Sequence, residues 1–552
     1  MIESAKDLAS GLLKADICIV GTGAAGIPLA LELAESGQQV LLIESGGFKE
    51  SKEVQALYQG KSVDEAMHSP SDKFRQRRFG GSTTIWGGRC MPFDPIDFEQ
   101  RDYIPGSGWP IHYDELALYY PRAHEYLELG QYEYDARKAF DPPVAPMFKG
   151  YDGVVFSTEG LERFSRPTDV GKCYRDRIEK SSAIRCLTDL NITYIQLQPD
   201  GSRVEHLDAK TLSGKSFKIT ANKFILAMGG IEIPRLMLAS KDVQKQGIGN
   251  DHDILGRFYM CHIAGNVGSL QIKGPVSNVS HGYEVSPDGI YCRRRVQLNP
   301  DKQKELGVSN LVARLHFPKI TDPSHKSGIL SGLFVVRKLI SYEYSKRLKD
   351  GENPSIGLYL RHFWNILTGP MDTVRFLYHW LTKRTLAKRK FPSVILPNKN
   401  NNFSLEVHAE QIPLADSRIT ILEDKDILGV PKVCIDWKYS KQDVQLVEKT
   451  LKAFAEDISA QGIGEFKYNG QDFENELMRF GAYGGHHIGA TRMGDDPQTS
   501  VVDKNCQVHG INNLFIASCS VFPTSSQANP TLTITAMAIR LADFLKGKEV
   551  MV

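Results

Sequence analysis

Asp16–Gly26, DICIVGTGAAG, is the stretch from which the rest of the chain can be read. Five residues of strand character, DICIV, run straight into the glycine turn GTGAAG. A helical stretch follows to Ser36, and a second apolar run, QQVLLIES, ends at Glu44 and Ser45. Strand, glycine turn, helix and strand in that order are the context that makes GxGxxG a dinucleotide cradle rather than a turn that happens to be rich in glycine. Gly21 makes the tight turn and Gly23 lets the backbone approach a pyrophosphate. Ala24 and Ala25 complete the turn, and Gly26 lets the helix pack against the strand. Glu44 is placed to accept hydrogen bonds from an adenosine ribose. The motif alone does not choose between NAD and FAD.

A chain of 552 residues exceeds one simple core, and at about 150 residues per domain it should hold two or three. Its 41% hydrophobic and 24% charged residues are the balance of an ordinary globular protein, and a net charge of +2 gives no reason to expect nucleic acid. Nine scattered cysteines form no CxxC pair, so neither a zinc site, nor another metal, nor a disulfide framework is expected. Such a set fits a reducing compartment. The first fourteen residues do not resemble a secretory signal, and no apolar run approaches the roughly eighteen residues needed to span a bilayer. The expectation is a cytoplasmic protein, with peripheral membrane contact left open.

Outward from the cradle, FGGSTTIWGGR (Phe79–Arg89) is a second glycine cluster, read as a loop whose backbone approaches something closely. GSGWPIHYDELALYYPRAHEYLELG reads as a capped helix. Ile192–Ala227 reads as a meander of short strands joined by Asp-Gly and Ser-Gly turns, leading to a helix that starts near Pro234. His262, closing HDILGRFYMCH, reads as a satisfied structural histidine. Ile263–Ser404 is the least regular part. Within it, residues 331–391 interleave aromatic runs with twelve Lys/Arg against four Asp/Glu, a net +8. Trp364 and Trp380, with Phe363, Phe376 and Tyr378, suit an anionic membrane surface, and a solvated helical insertion or oligomer contact suits them equally. FSLEVHAEQIP, SRITILED and KVCIDWKY read as strands of a substrate-facing wall, on which Glu410 faces either the substrate or the surface. Near the C-terminus, GGHHIGATRMG (Gly484–Gly494) sets His486 and His487 ahead of a glycine turn. In QANPTLTITAMAIRLADFL, Asn529 reads as an N-cap with Pro530 at the first helical position.

Taken together, these segments resemble the glucose-methanol-choline (GMC) family of flavin oxidoreductases over nearly the whole chain. The likeness is carried by GTGAAG with Glu44, GGSTTIWGGR, ILAMGGIEIPRLMLAS, LGRFYMCH, HAEQIPLADSRITI, HHIGATRMG, NLFIASCSVFP and ANPTLTITAMA. Their joint order is far more specific than any one of them. ANPTLT carries asparagine where glucose oxidase-type members carry a second histidine, which is nearest the sugar-oxidising branch that includes pyranose 2-oxidase and fructose dehydrogenase. The resemblance implies an α/β chain, α+β overall, with a Rossmann-like FAD-binding domain and a substrate-binding domain built on a mostly antiparallel sheet. Residues 1–265 and 484–552 would form the first domain, and 266–483 the second, including the insertion 331–391.

The resemblance also implies the chemistry. A base takes the proton of an alcohol while the carbon-bound hydride passes to flavin N5. The family's catalytic histidine stands three residues before the glycine of the turn, which is Gly489, so the match falls on His486, with His487 as the alternative. The turn here reads GA where the family has GT. Asn529 would hold the substrate oxygen. Gly80, Gly81, Ser82, Trp86, Gly87, Ser520, Pro530 and Thr531 would line the FAD with Asn529, and the helix starting at Pro530 would point its positive end at flavin N1 and C2=O. Ile85 stands where related proteins carry a histidine that bonds FAD covalently, so the FAD should be noncovalent. The expected substrate is a small-molecule alcohol, most of all a secondary hydroxyl of a sugar or glycoside, with oxygen, a quinone or a cytochrome as electron acceptor. A sterol-like or lipid-linked alcohol is the alternative within enzymes, and a lyase-like or binding protein with structural FAD the alternative outside redox chemistry.

Overall fold

The computed structural model describes residues 1–166, 168–337, 355–382, 386, 392, 400–482 and 484–547. Gly11–Val20 lies inside an eight-stranded sheet, parallel to Val40–Ile43 on one side and to Ser216–Leu226 on the other. Ile184–Thr188 and Ile2–Ser4 extend the parallel side. Asn191–Leu197 and Val204–Lys210 form the expected meander. Its last member is one strand of eleven residues, because Phe217–Leu226 pairs with Gly11–Val20 almost without interruption. Leu514–Ile516 adds in parallel to the end of this strand, so the C-terminal region completes the sheet begun at the N-terminus. The central strands are Val-, Ile- and Leu-rich on both faces, as a parallel sheet covered on both sides requires. Helices Gly26–Ala34 and Thr531–Leu545 pack against each other over it.

A six-stranded sheet forms the second layer, in the order Gly464–Lys467, His262–Ile272, Asn402–Glu410, Leu311–His316, Val296–Leu298, Phe156–Ser157, every pair antiparallel. Helix Lys441–Ala460 covers it. A capping box between Ser440 and Asp443 starts this helix, and Val444, Val447, Leu451, Phe454 and Ile458 bury one stripe against the sheet. Each such side chain contributes about 1.5–3 kcal/mol on burial. The segment that looked least regular therefore holds much of this sheet.

Several local expectations change. GSGWPIHYDELALYYPRAHEYLELG forms two short helices, Tyr113–Ala117 and Tyr120–Tyr126, rather than one. The helix expected from Pro234 runs Glu232–Ala239. Of the three strands assigned to the wall, only Asn402–Glu410 belongs to it; Arg418–Lys425 and Pro431–Asp436 form a separate small sheet with Lys61–Ser62. Phe156–Ser157, which falls in the range expected for the cofactor domain, is the edge strand of the antiparallel sheet. Within 331–391, residues 338–354, 383–385 and 387–391 lie outside the described residues. Helices Ile356–Thr368 and Pro370–Trp380 lie within them.

Candidate active site

The glycine turn divides its labour. Gly21 has φ +112°, and a Cβ on it would overlap the Ala227 carbonyl. A Cβ on Gly26 would overlap the Gly21 carbonyl oxygen, so both positions require glycine for packing within the protein. At Gly23 a Cβ would meet nothing within 4 Å, and Gly23 with Gly21, Ala24 and Ala25 lines a cavity of about 530 Å³. Gly26 stays behind the turn. Glu44, also on the cavity, accepts from the Thr22 backbone N–H at 3.2 Å, the Thr22 hydroxyl at 2.5 Å, and Ser45 Oγ and the Gly46 N–H at 3.0 Å each. It is thereby held rigid at the end of its strand. Gln76 lines the same cavity with a buried Oε1 that has no hydrogen-bond partner among the described residues, an acceptor left for a ligand.

The second glycine cluster folds as a short 3₁₀ turn, Gly81–Thr84, and Gly81, Ser82, Ile85, Trp86 and Gly87 line the cavity. Gly80 does not. It sits one layer back, donating its N–H to Thr22 Oγ1 at 3.2 Å, where a Cβ would press on Asp169. Ser520 is likewise fully buried off the cavity wall, accepting from Thr491 Oγ1 at 2.7 Å, and its neighbours Ser518 and Cys519 take the lining position. Pro530, Thr531 and Ile534 bring the N-terminal end of helix Thr531–Leu545 to the cavity.

His486, half-buried, lines the same cavity. Its Nδ1 lies 2.9 Å from His262 Nδ1, and His262 Nε2 lies 3.2 Å from the Ser525 carbonyl oxygen. A carbonyl only accepts, so His262 carries its proton on Nε2. Burial, eased only in part by backbone contacts, pushes its pKa down to about 3 and keeps the ring neutral. Its Nδ1 is then an acceptor, and His486 must donate to it from Nδ1, which leaves the lone pair of His486 on Nε2. Burial first, then His262 and the Arg89 charge, hold the His486 pKa well below the ordinary 6.5. His408 stacks on His262 at 4.1 Å between ring centroids and donates Nδ1–H to the Gln527 carbonyl at 2.5 Å. Ring nitrogens of His262, His408 and His486 lie within 4.8 Å of one another, a spacing that could hold a metal ion. The shared proton accounts for the His262–His486 contact without one.

His487 points into a different chain. Its Nδ1 lies 2.6 Å from Tyr259 Oη, which lies 2.9 Å from His68 Nε2, and His68 Nδ1 donates to the Ser69 carbonyl at 2.7 Å. Asn529 does not cap the helix that follows it, because no side-chain cap bond forms and the assigned cap is Pro530. Its Oδ1 instead accepts from Arg89 Nη2–H at 3.1 Å. A guanidinium is a stronger donor than a terminal backbone amide, and the choice leaves the Asn529 amide N–H₂ outside this contact on a residue that lines the cavity.

Arg89, His262 and His408 were not read as site residues from the sequence, although Arg89 closes the quoted FGGSTTIWGGR loop. Arg89 is delivered by the short strand Arg89–Cys90, which pairs with Leu161–Phe164. Glu162 on that neighbour lies 4.0 Å from Arg89 and binds the fully buried Arg314. Glu162, Arg293, Glu406 and Tyr283 join Arg89 on the cavity wall. Glu410 is on neither the cavity nor the surface. It is fully buried, paired through both oxygens with Arg101 at 2.8 and 2.6 Å.

A dinucleotide cradle that shares a cavity with a neutral imidazole suits an oxidoreductase, and the comparisons with known proteins give its class: one acting on CH–OH groups with FAD. Residues 413–538 match the family model described as GMC oxidoreductase, and residues 16–63 match that of an FAD binding domain. The chain is 22% identical to 2-methyl-1,2-propanediol dehydrogenase of Mycolicibacterium austroafricanum, covering 97% of this chain and 95% of that one. It is 23% identical to the fructose dehydrogenase large subunit of Gluconobacter japonicus (96% and 97% covered) and 24% identical to paromamine 6'-oxidase of Streptomyces fradiae (96% and 91%). Pyridoxine 4-oxidase from Mesorbium loti shares the fold at a TM-score of 0.52 and 18% identity, over 96% of this chain and 99% of that structure. The chain thus carries a GMC oxidoreductase segment and an FAD-binding segment, and over nearly its whole length it is similar to alcohol and sugar oxidases and dehydrogenases. The open Gly23 turn, the unpartnered Gln76 acceptor and the cavity volume fit FAD as its cofactor, and Ile85, which has no nucleophile, stands before Trp86.

Proposed function

We propose that the protein oxidises a secondary hydroxyl of a sugar or glycoside to a ketone, with His486 as the base. The observation that carries this reading is the Ser525–His262–His486 chain, which strips Nε2 of its proton and turns it into an acceptor beside the cavity. Bound FAD would supply the hydride acceptor. His486 Nε2 takes the hydroxyl proton, while the Asn529 amide donates to the hydroxyl oxygen and Arg89 keeps that amide from rotating. Glu44 and the Gly21–Ala25 turn would hold the adenosine and pyrophosphate, with the dipole of helix Thr531–Leu545 directed at the ring.

A sugar suits the wall formed by Arg89, Glu162, Arg293, Glu406 and Tyr283, since several hydroxyls need several donors and acceptors. A sterol offers one hydroxyl on an apolar body, which matches this charged and polar wall poorly. Two relatives carry fructose and paromamine in their names, which agrees with this choice. The test is anaerobic bleaching of the flavin by a panel of monosaccharides, glycosides and sterols, followed by readmission of air to sort oxygen from other acceptors. Bleaching by sugars or glycosides is expected; bleaching by sterols alone would overturn the assignment.

The depressed His486 pKa sets a pH dependence. The base must be unprotonated, and its pKa lies below about 6.5. The rate of flavin reduction by alcohol should therefore stay level as pH falls from about 8 to 6.5 and decline only further down. Stopped-flow reduction across this range measures it, and an acid limb centred at or above the ordinary histidine value would contradict the buried, neutral relay.

A further inference from the structure

Helix Ile356–Thr368 is built inside out. Ile356, Leu360, Phe363, Trp364 and Leu367 recur at helical spacing and form one face, yet that face is exposed, Trp364 by 67% and Leu367 by 70%. On the face turned to the protein the two fully covered residues are polar, with Leu358, Tyr359 and Ile366 half-buried beside them. His362 is fully buried with Nδ1 3.0 Å from Ser331 Oγ, and Asn365 donates to the Pro323 carbonyl at 2.8 Å and to Ser331 Oγ at 3.2 Å. A helix packed on a core does the reverse. Helix Pro370–Trp380 continues the pattern, with Met371, Val374, Leu377 and Tyr378 exposed and Leu381 following. An apolar surface this continuous marks an interaction site.

We infer that this two-helix face docks the protein on an anionic phospholipid surface, lying in the interfacial plane. Three observations choose that occupant. Residues 331–391 carry twelve Lys/Arg against four Asp/Glu, five of the basic ones within 383–390, which complements anionic headgroups and opposes pairing with a second copy of the same segment. The exposed face holds Trp364, Trp380 and Tyr378, side chains suited to the boundary between headgroups and acyl chains. The helices are short, 13 and 11 residues, about 20 and 16 Å at 1.5 Å per residue, so they lie on the bilayer rather than cross it. Among the described residues no helix is long and apolar enough to cross a membrane.

The full-length, FAD-loaded protein should co-float with phosphatidylcholine vesicles containing one-quarter phosphatidylglycerol at least about tenfold better than with phosphatidylcholine alone, and raised salt should weaken the binding. The double substitution Trp364→Glu, Leu367→Glu should abolish it while the flavin absorbance and circular dichroism stay those of the parent, since both side chains are exposed. No flotation with anionic vesicles, or equal flotation of the double variant, overturns the inference. So does a dimer in analytical ultracentrifugation that the same substitutions dissociate while vesicle binding is missing, because the occupant is then a second copy. The outcome is independent of which alcohol is oxidised.

Discussion

His486→Ala should slow anaerobic flavin reduction by alcohol about 10²–10⁴-fold, the range for losing a positioned general base, while FAD remains bound. The basis is geometric. The Ser525 carbonyl forces the His262 tautomer, His262 forces the His486 tautomer, and the one lone pair left over is on Nε2 beside the cavity. Alanine removes that acceptor without touching the Gly21–Ala25 turn, so the visible flavin spectrum should be retained. His487→Ala is the informative control. His487 lines the cavity too, but its Nδ1 is tied to Tyr259 in a buried chain ending at His68, so its loss should affect stability more than the reductive rate. A large rate loss in His487→Ala with near-normal reduction in His486→Ala would move the base by one residue. His262→Phe should fall between the two, because it frees the His486 tautomer without removing the ring.

Glu410→Ala should destabilise the fold by about 3–5 kcal/mol, the cost of leaving a buried charge without its partner. Arg101 is nearly inaccessible and gives both terminal nitrogens to Glu410, which also accepts from the Asn310 backbone N–H at 3.1 Å. Removing the carboxylate strands the guanidinium in a place water does not reach. The double substitution Arg101→Met, Glu410→Leu should recover much of the loss, since apolar replacement of an entire buried pair is often neutral. The denaturant midpoint followed by intrinsic fluorescence reads both, and an unchanged midpoint in Glu410→Ala would show that the pair carries no stability. The flavin spectrum distinguishes this from an effect on the site, because Glu410 lies off the cavity.

The Rossmann-like start, the cavity-lining glycine loop and the positions of His486 and Asn529 were legible in linear sequence for a shared reason: each rests on a short motif in which neighbouring residues set the backbone of the turn that aims them. GTGAAG is recognisable because Gly21 and Gly26 must avoid contacts made within a few residues or with the adjacent strand. Where partners come from far along the chain, the sequence could not name them. His262 reads as a satisfied structural histidine and is indeed hydrogen-bonded at both ring nitrogens, but its partners Ser525 and His486, more than 200 residues away, could not be named. Glu410 looked open to substrate because Arg101 lies 309 residues earlier. Asn529 looked like a helix cap because its neighbours favour one, but Arg89, 440 residues before it, takes its oxygen.

The insertion shows the same division from the other direction. Its composition and helical spacing announce an apolar stripe and a net positive charge, but a stripe has no direction until the helix is packed. That His362 and Asn365 face inward and Trp364 and Leu367 outward is set by Ser331 and the Pro323 carbonyl, which need hydrogen-bonding partners more than the adjoining surface needs apolar ones. Backbone turns and stripes are short-range properties and are written in consecutive residues. Protonation states, the partner of each buried charge and the side on which an apolar face comes to rest are settled by contacts between distant segments, and for this protein those contacts are the ones that set His262 against His486 and Arg89 against Asn529 at the edge of the cofactor cradle.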